Sequence, residues 1–145
     1  MTTGNGLVSP RWKGPFEDCD DFVGSYLEPQ VSNPATVTFT VVDRTQAPAE
    51  GSAVADGACV GIVNFMRFSP AHRVVELGGI WYAPSVHRTH VNTGAILLML
   101  THAFEAMGCR RVEWKCDNRN KASAAAAIRL GFEDEGVFKQ VRGVG

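Results

Sequence analysis

Three segments of the chain have the residue pattern of β-strands with one buried face. Segments 35–43 and 58–68 are rich in β-branched and apolar residues, and turn-forming residues bound each of them. Segment 74–82 is similar but contains Gly78 and Gly79, which indicate a β-bulge or a point where the strand splays away from its neighbour. We expect these three segments to pair as an antiparallel meander.

Segment 91–108 has the composition of a buried helix. Asn92 or Thr93 is a suitable N-cap, and Gly108 is a suitable C-terminal glycine. Between these ends apolar residues lie on nearly all sides, so we expect the helix to be largely buried. The apolar residues are Ile96, Leu97, Leu98, Met99, Leu100, Ala103 and Phe104.

Three shorter elements complete the pattern. Segment 17–28 has an apolar helical face and is expected to end at Pro29. Segment 111–116 alternates apolar and charged residues as a half-buried strand does, and segment 122–130 is a strong helix that Gly131 ends. The order of the elements predicts an α/β (α+β) domain, with helices flanking one mixed sheet.

Composition and charge narrow the classes of function. The chain has 145 residues and a net charge of −1, which argues against a nucleic acid or an anionic membrane as its main partner. No apolar run reaches the length of a membrane span, and the polar N-terminal segment 1–13 is expected to be a loop or disordered. We expect a cytoplasmic protein.

The four cysteines lack the spacing of a metal site or of a redox pair. We therefore expect reduced thiols and no bound metal. Cys109 and Cys116 are expected in the core, whereas His72 and His102 are expected at the surface.

A candidate binding site lies where segment 74–82 passes through a polar loop into the following helix. His87, Arg88 and His90 make this loop basic. The first amides of a helix have no partner within the helix, and the helix dipole places partial positive charge there. A phosphate-bearing cofactor is therefore the first hypothesis. A binder of dinucleotides or ATP is a weaker alternative, because neither GxGxxG nor GxxxxGK[ST] occurs.

Four stretches of the chain carry a family resemblance. They are GPF at 14–16, ELGGIWYAPSVHRTHVNTGAILLMLTHAFE at 76–105, GCRRVEWKCDNRNKAS at 108–123 and RLGFEDEGVFKQ at 129–140. Together they resemble the GNAT superfamily of N-acetyltransferases, in the branch typified by the ribosomal-protein-alanine acetyltransferases. The resemblance implies one domain over residues 14–145, built on a mixed, mostly antiparallel central sheet flanked by helices. It also implies an enzyme that transfers acetyl from acetyl-CoA to a primary amine, either a protein N-terminus or a small-molecule amine.

The resemblance also implies roles for individual residues. A backbone amide near Gly79 or Ile80 would polarise the acetyl carbonyl, Glu76 would act as the base, and Ser123 would lie near the sulfur of coenzyme A. The residues expected to bind acetyl-CoA follow the end of the third strand, the loop and the starts of the two later helices. They are Ile80, Trp81, Tyr82, His87, Arg88, Thr89, His90, Val91, Asn92, Thr93, Asn120 and Ser123.

Each of these residues has an ordinary structural alternative. Asn120 can cap the following helix, and Ser123 can be a first-turn serine of that helix. Glu76 can pair with an arginine such as Arg73, and a histidine in a loop is most often simply exposed.

The sequence departs from the family pattern in the loop and at both ends. Gln or Arg is usual at the position of His87, Gly at that of His90 and Glu at that of Gly94, so we expect crowding or backbone strain at position 90 and a weakened helix start. The sheet is expected to lack the first and last strands of the family, with a final strand beginning over 135–141. The open edge left along 111–116 favours a homodimer. The alternative function is an inactive domain that binds coenzyme A weakly or not at all.

Overall fold

Four strands form one sheet in the computed structural model, which describes residues 19–138. The strands are β1 (Thr36–Asp43), β2 (Ala58–Ser69), β3 (Val74–Tyr82) and β4 (Arg111–Glu113), in that spatial order. β1, β2 and β3 are antiparallel, whereas β3 and β4 are parallel. The predicted meander and the mixed, mostly antiparallel sheet are therefore confirmed. The segment 1–13, predicted to be a loop or disordered, lies outside the described residues.

Helices lie on both faces of this sheet. They are α1 (Cys19–Phe22), α2 (Glu28–Val31), α3 (Val91–Thr101) and α4 (Lys121–Arg129), with π-helical turns at Val23–Leu27 and His102–Ala106 and a 3-10 turn at Pro84–Val86. Within residues 19–138, no helix is both long and apolar enough to cross a bilayer.

The predicted bulge in β3 is confirmed. One residue of β2, Val63, lies opposite two residues of β3, Gly79 and Ile80. The alternation of side chains shifts at this point, because Val75 and Leu77 pack into the same core as Ile80. Gly79 adopts a left-handed conformation with φ +57°, which glycine reaches without a steric cost.

The main core lies between the sheet and α3. Its buried residues are Val63, Phe65, Val75, Leu77, Ile96, Met99, Ala103 and Cys109. The prediction that this helix is largely buried is wrong, since Leu97 is 63% exposed, Leu98 73% and Phe104 47%. The sheet covers only one side of α3, and nothing else among the described residues covers those three side chains.

The ends of α3 also differ in part from the prediction. His90 is the N-cap, so Asn92 and Thr93 lie in the first turn rather than before it. Gly108 does end the helical segment, with φ +64° and a hydrogen bond from the Cys109 amide to the Ala103 carbonyl at 2.9 Å.

The N-terminal helical segment does not stop at Pro29, contrary to the prediction. A π-helical turn precedes α2, and the Glu28 amide donates to the carbonyl of Val23. Pro29 then lies in the first turn of α2, where the missing N–H is tolerated, and the helix continues to Val31. This segment places Tyr26, which is fully buried, against the face of the sheet opposite to α3.

The C-terminal part holds fewer strand residues than predicted. β4 ends at Glu113, and residues 132–138 form no strand; the remainder of the predicted strand over 135–141 lies outside the described residues. Cys109 is buried as predicted, but Cys116 is exposed because it follows the end of β4. His72 and His102 are exposed, as predicted.

Candidate functional site

β3 and β4 pair over a short distance and then separate. Their pairing is limited to Val74–Arg111, Val75–Val112 and Glu76–Glu113. Beyond these residues β3 continues to Tyr82, and within residues 19–138 its only strand neighbour there is β2. The other edge of β3 over residues 77–80 therefore has backbone groups without a strand partner among the described residues. An edge of this kind can bind an extended ligand that has amide groups of its own.

The loop between β3 and α3 is fixed by its own contacts. Val86 and Val91 are buried and pack with Val60 and Tyr82. The Thr89 hydroxyl donates to the Val86 carbonyl at 2.8 Å and accepts from the Val91 amide at 3.2 Å. These contacts hold the loop in a defined conformation up to the start of α3.

Backbone amides without acceptors collect at this corner. Within the described residues, none of the amides of Arg88, His90, Asn92 and Thr93 has an acceptor, and the first bond of α3 runs from Gly94 to His90 at 2.9 Å. Arg88 has φ +62° and follows the extended His87, so the backbone turns sharply just before α3 begins. Free amides at a helix N-terminus, together with the helix dipole, are suited to binding an anion, and such binding here stays a prediction.

The two histidines of the loop have different structural settings, and their binding roles stay predictions. Nε2 of His87 lies 3.0 Å from the Tyr82 carbonyl, and since that oxygen can only accept, Nε2 donates and fastens the loop to the end of β3. His90 has an ordinary helical φ of −71°, so the predicted strain at this position is absent. The left-handed residue is Arg88, two positions earlier. The start of α3 forms despite Gly94.

Two buried polar atoms lie at this corner without partners in the part of the chain that the structure describes. They are the Tyr82 hydroxyl, at the end of β3, and Oδ1 of Asn92, in the first turn of α3. Burial raises the pKa of Tyr82 to about 12, so its hydroxyl stays protonated and can donate. Both residues belong to the predicted binding set, and their contact with a ligand stays a prediction.

The start of α4 is tied to Trp114, the residue that follows β4. Asn120 is the N-cap of α4, and its Oδ1 accepts from the Ser123 amide at 3.2 Å, so its structural alternative is confirmed. The Ser123 hydroxyl oxygen accepts from Nε1 of Trp114 at 2.9 Å. Because a hydroxyl has one hydrogen besides its lone pairs, Ser123 can still donate to a ligand.

Glu76 is part of an ion-pair network. Its Oε2 accepts from Arg67 at 2.5 Å and from Lys115 at 3.2 Å, and its side chain is only 7% exposed. The alternative that an arginine pairs with Glu76 is thus confirmed, with Arg67 in place of Arg73. The role of Glu76 as a base stays a prediction.

The same network ties β4 to the chain that follows it. Lys115 contacts Glu113 at 2.6 Å, and Nε of Arg111 contacts Glu113 at 2.9 Å. Arg111 also makes a forked pair with Glu135, at 2.7 and 2.5 Å. These hydrogen bonds hold the pKa values of both carboxyl groups below their usual range. The largest cause for Glu113 is the hydrogen bond from Lys115, and for Glu135 it is the hydrogen bond from Arg111.

Sequence reasoning did not identify Asn64, a buried polar residue of β2 that contacts the bulge. The signal was present in the apolar run G-I-V-N-F-M, in which a central asparagine requires hydrogen-bond partners. Among residues 19–138, no three His, Cys, Asp or Glu side chains lie together as a metal site.

The chain belongs to the acetyltransferase (GNAT) domain family, whose model matches residues 10–133. The predicted family is therefore confirmed. Among curated relatives, the ribosomal-protein-serine acetyltransferase of Escherichia coli K12 is 30% identical over 81 residues, which are 56% of this chain and 45% of that protein.

Solved structures show the same fold. A GCN5-related N-acetyltransferase from Brucella melitensis has a TM-score of 0.76 at 31% identity, covering 90% of this chain and 54% of the other. A probable GNAT-family acetyltransferase from Chromobacterium violaceum has a TM-score of 0.68 at 39% identity, covering 86% and 57%. This chain thus spans about half the length of the relatives that it matches.

Proposed function

We propose that this chain binds acetyl-CoA between the free edge of β3 and the loop before α3, and that it transfers the acetyl group to a primary amine. The observation that carries the proposal is the order of two features along the chain. The edge of β3 over 77–80 has no strand partner among residues 19–138, and the amides without acceptors that begin at Arg88 come after the end of β3 and the 3-10 turn at Pro84–Val86. A ligand with an amide-bearing arm and a pyrophosphate would use both features.

Each part of the site has a function in this proposal. The edge of β3 holds the pantetheine arm as an added strand does. The amides of Arg88, His90, Asn92 and Thr93 bind the pyrophosphate, and the Arg88 guanidinium adds charge.

Acetyl transfer requires that the protein position the two substrates, donate a hydrogen bond to the acetyl oxygen and provide groups that accept and donate protons. The thioester supplies an acetyl group that the amine nitrogen attacks, with the thiolate as leaving group. The bulge amides at Gly79 and Ile80 stabilise charge on the acetyl oxygen. The Ser123 hydroxyl, held by Trp114, is the proposed proton donor to the sulfur, and a water near Glu76 is the proposed acceptor of the ammonium proton.

The acceptor in this proposal is a primary amine at a protein N-terminus or on a small molecule. The name of the Escherichia coli relative refers to a ribosomal protein, which favours an N-terminus as the first acceptor to test. We place the protein in the cytoplasm in this proposal, with acetyl-CoA and the acceptor as its partners.

Turnover of acetyl-CoA with a panel of amines tests the proposal. Peptides that begin with Ser or Ala, free polyamines and an N-acetylated control peptide should separate an N-terminal from a small-molecule acceptor. Product should be detected by mass spectrometry, because Cys59 and Cys116 are exposed and would react in an assay for free thiols. Acetylation of a free amine but not of the blocked peptide is the expected result. Binding of acetyl-CoA without any product would instead favour the inactive domain.

A further inference from the structure

Asn64 holds the bulge of β3 from the neighbouring strand. Its side chain is fully buried on β2 and makes three hydrogen bonds. Nδ2 donates to the carbonyl of Gly79 at 2.9 Å and to that of Gly78 at 3.3 Å, and Oδ1 accepts from the Thr38 hydroxyl at 2.6 Å. The two carbonyls can only accept, so the NH₂ group must face the bulge and the oxygen must face Thr38.

These contacts fix the direction of two consecutive peptide groups. In a regular strand successive carbonyls point to opposite edges, whereas here the carbonyls of Gly78 and Gly79 both turn toward Asn64. The N–H of each peptide group is opposite to its C=O. The amides of Gly79 and Ile80 therefore both point away from β2, toward the side on which β3 and β4 separate.

Asn64 packs so closely against the bulge that Gly79 has no space for a side chain. A Cβ at Gly79 would overlap Nδ2 of Asn64, closer than any non-bonded contact allows. Gly79 also needs its φ of +57° to turn its carbonyl. The Tyr26 hydroxyl approaches the same carbonyl at 3.4 Å from the opposite helix layer.

We infer that Asn64 is a positioning residue for acetyl transfer, which sets the Gly79 and Ile80 amides as a pair of donors to the acetyl carbonyl oxygen. The inference rests on the proposed function and adds to it the group that holds this donor pair in place. Two preorganised donors aimed at one oxygen stabilise charge that develops there, and they need no reorganisation during the reaction. The residue touches neither the sulfur nor the amine and acts only through the bulge.

Asn64→Asp is the sharpest test, because it keeps the shape and replaces the donor group by an oxygen that faces two carbonyls. The kcat for acetyl transfer should fall by about 10- to 100-fold, less than the roughly 100- to 1,000-fold for outright removal of one such donor, because the amides are displaced and not removed. The affinity for coenzyme A, which lacks the acetyl carbonyl, should change by less than about threefold. The amide resonances of Gly79 and Ile80 in ¹H–¹⁵N spectra should shift even without any ligand.

Thr38→Val keeps the test open where Asn64→Asp does not fold. It removes only the hydroxyl that orients Oδ1, so kcat should fall by a few-fold with the same two amide resonances shifted. Ile96→Val is the matched control, because Ile96 is fully buried in the core but lies outside the bulge. Its kcat should equal that of the wild type although its midpoint of unfolding falls.

Unchanged resonances of Gly79 and Ile80 in both variants would overturn the inference, and so would shifted resonances with an unchanged kcat. A wild-type chain that binds no acetyl-CoA would instead contradict the proposed function. In that case the resonances of the variants still decide whether Asn64 sets the bulge.

Discussion

At the scale of single residues, the proposed site includes two positions with a left-handed backbone, Gly79 and Arg88. Gly79 combines a left-handed φ with contact against Asn64. Arg88 is left-handed as well, but it faces solvent and has room for its side chain. We therefore expect a change at Gly79 to affect the stability of the fold, and a change at Arg88 to affect the charge of the proposed binding site.

Gly79→Ala should destabilise the fold by at least about 2 kcal/mol, since a left-handed alanine costs about 1–2 kcal/mol and the Cβ displaces Asn64 as well. Urea unfolding measures the change. Gly94→Ala is the matched control, because a Cβ there meets nothing within 4 Å. In the interior of a helix it should add about 0.5–1 kcal/mol. Equal loss in both variants would contradict the packing described for the bulge.

Arg88→Gly should weaken the binding of coenzyme A by about two- to fivefold, the range for one exposed charge contact. The loss should shrink as salt is added, because exposed charges are screened. Calorimetric titration at two salt concentrations measures it. Arg44→Ala, at a 78% exposed arginine of the β1–β2 connector, should have no effect. An equal loss of coenzyme A affinity in Arg88→Gly and Arg44→Ala would mean that the net charge of the protein, and not the position of Arg88, determines the effect.

Residue-level prediction from the sequence worked where the local pattern determines the outcome. Gly78-Gly79 indicated a bulge and Gly108 a helix end, and both are found. Strain at position 90 was not found, because the left-handed turn is at Arg88, and the register of a loop depends on packing of Val86 and Val91. Asn64 was not identified, since its partners lie on two other strands.

At the scale of elements, an ion-pair network joins the strands beside the point where β3 and β4 separate. Glu76 of β3 accepts from Arg67 on β2 and from Lys115 beyond β4, and Glu113 shares Lys115. The network joins three consecutive strands at the last point where β3 and β4 still pair. It therefore links β2, β3 and β4 just before β3 and β4 separate.

This network predicts a loss of stability in acid. The pKa values of Glu113 and Glu135 are lowered from an ordinary 4.5, so their contribution is fully present above about pH 4.5 and is lost as the pH falls through their folded values. Unfolding midpoints measured between pH 7 and pH 3 should show the loss. Glu113→Gln should lower the midpoint at neutral pH and flatten the profile in acid. A variant profile parallel to that of the wild type would show that Glu113 does not contribute.

Element boundaries were predicted better for strands than for helices. The alternation of β-branched residues placed β1, β2 and β3 to within a residue or two, because each strand buries one face. Pro29 did not end the first helical segment, since a π-helical turn puts it where its missing N–H is not needed. The burial of α3 was overestimated because apolar residues on all sides of a helix do not show whether other elements pack against each side. Here Leu97 and Leu98 remain exposed.

At the scale of the whole molecule, α3 exposes an apolar surface formed by Leu97 and Leu98. Such a surface favours self-association. The outer edge of β4 is the other candidate, and the homodimer predicted through that edge stays a prediction. The two routes differ in the residues that they bury.

Leu98→Lys separates these routes. If α3 mediates association, the variant should lower the mass measured by light scattering at high protein concentration. The stability should change by no more than about 0.5 kcal/mol, because the side chain is exposed. An oligomer that persists unchanged in the variant would assign the contact to a different surface, with the edge of β4 as the first to test.

The most direct test of the account is a thermal unfolding curve of this chain with and without acetyl-CoA. A ligand that binds only the folded state at about 100 times its dissociation constant adds about 2.7 kcal/mol, which for a chain of this size raises the midpoint by roughly 5–10 °C. We predict such a rise, a smaller one for Arg88→Gly and an unreduced one for Arg44→Ala. A cooperative transition whose midpoint does not change when acetyl-CoA is added would contradict the claim that the edge of β3 and the start of α3 form a site for this cofactor.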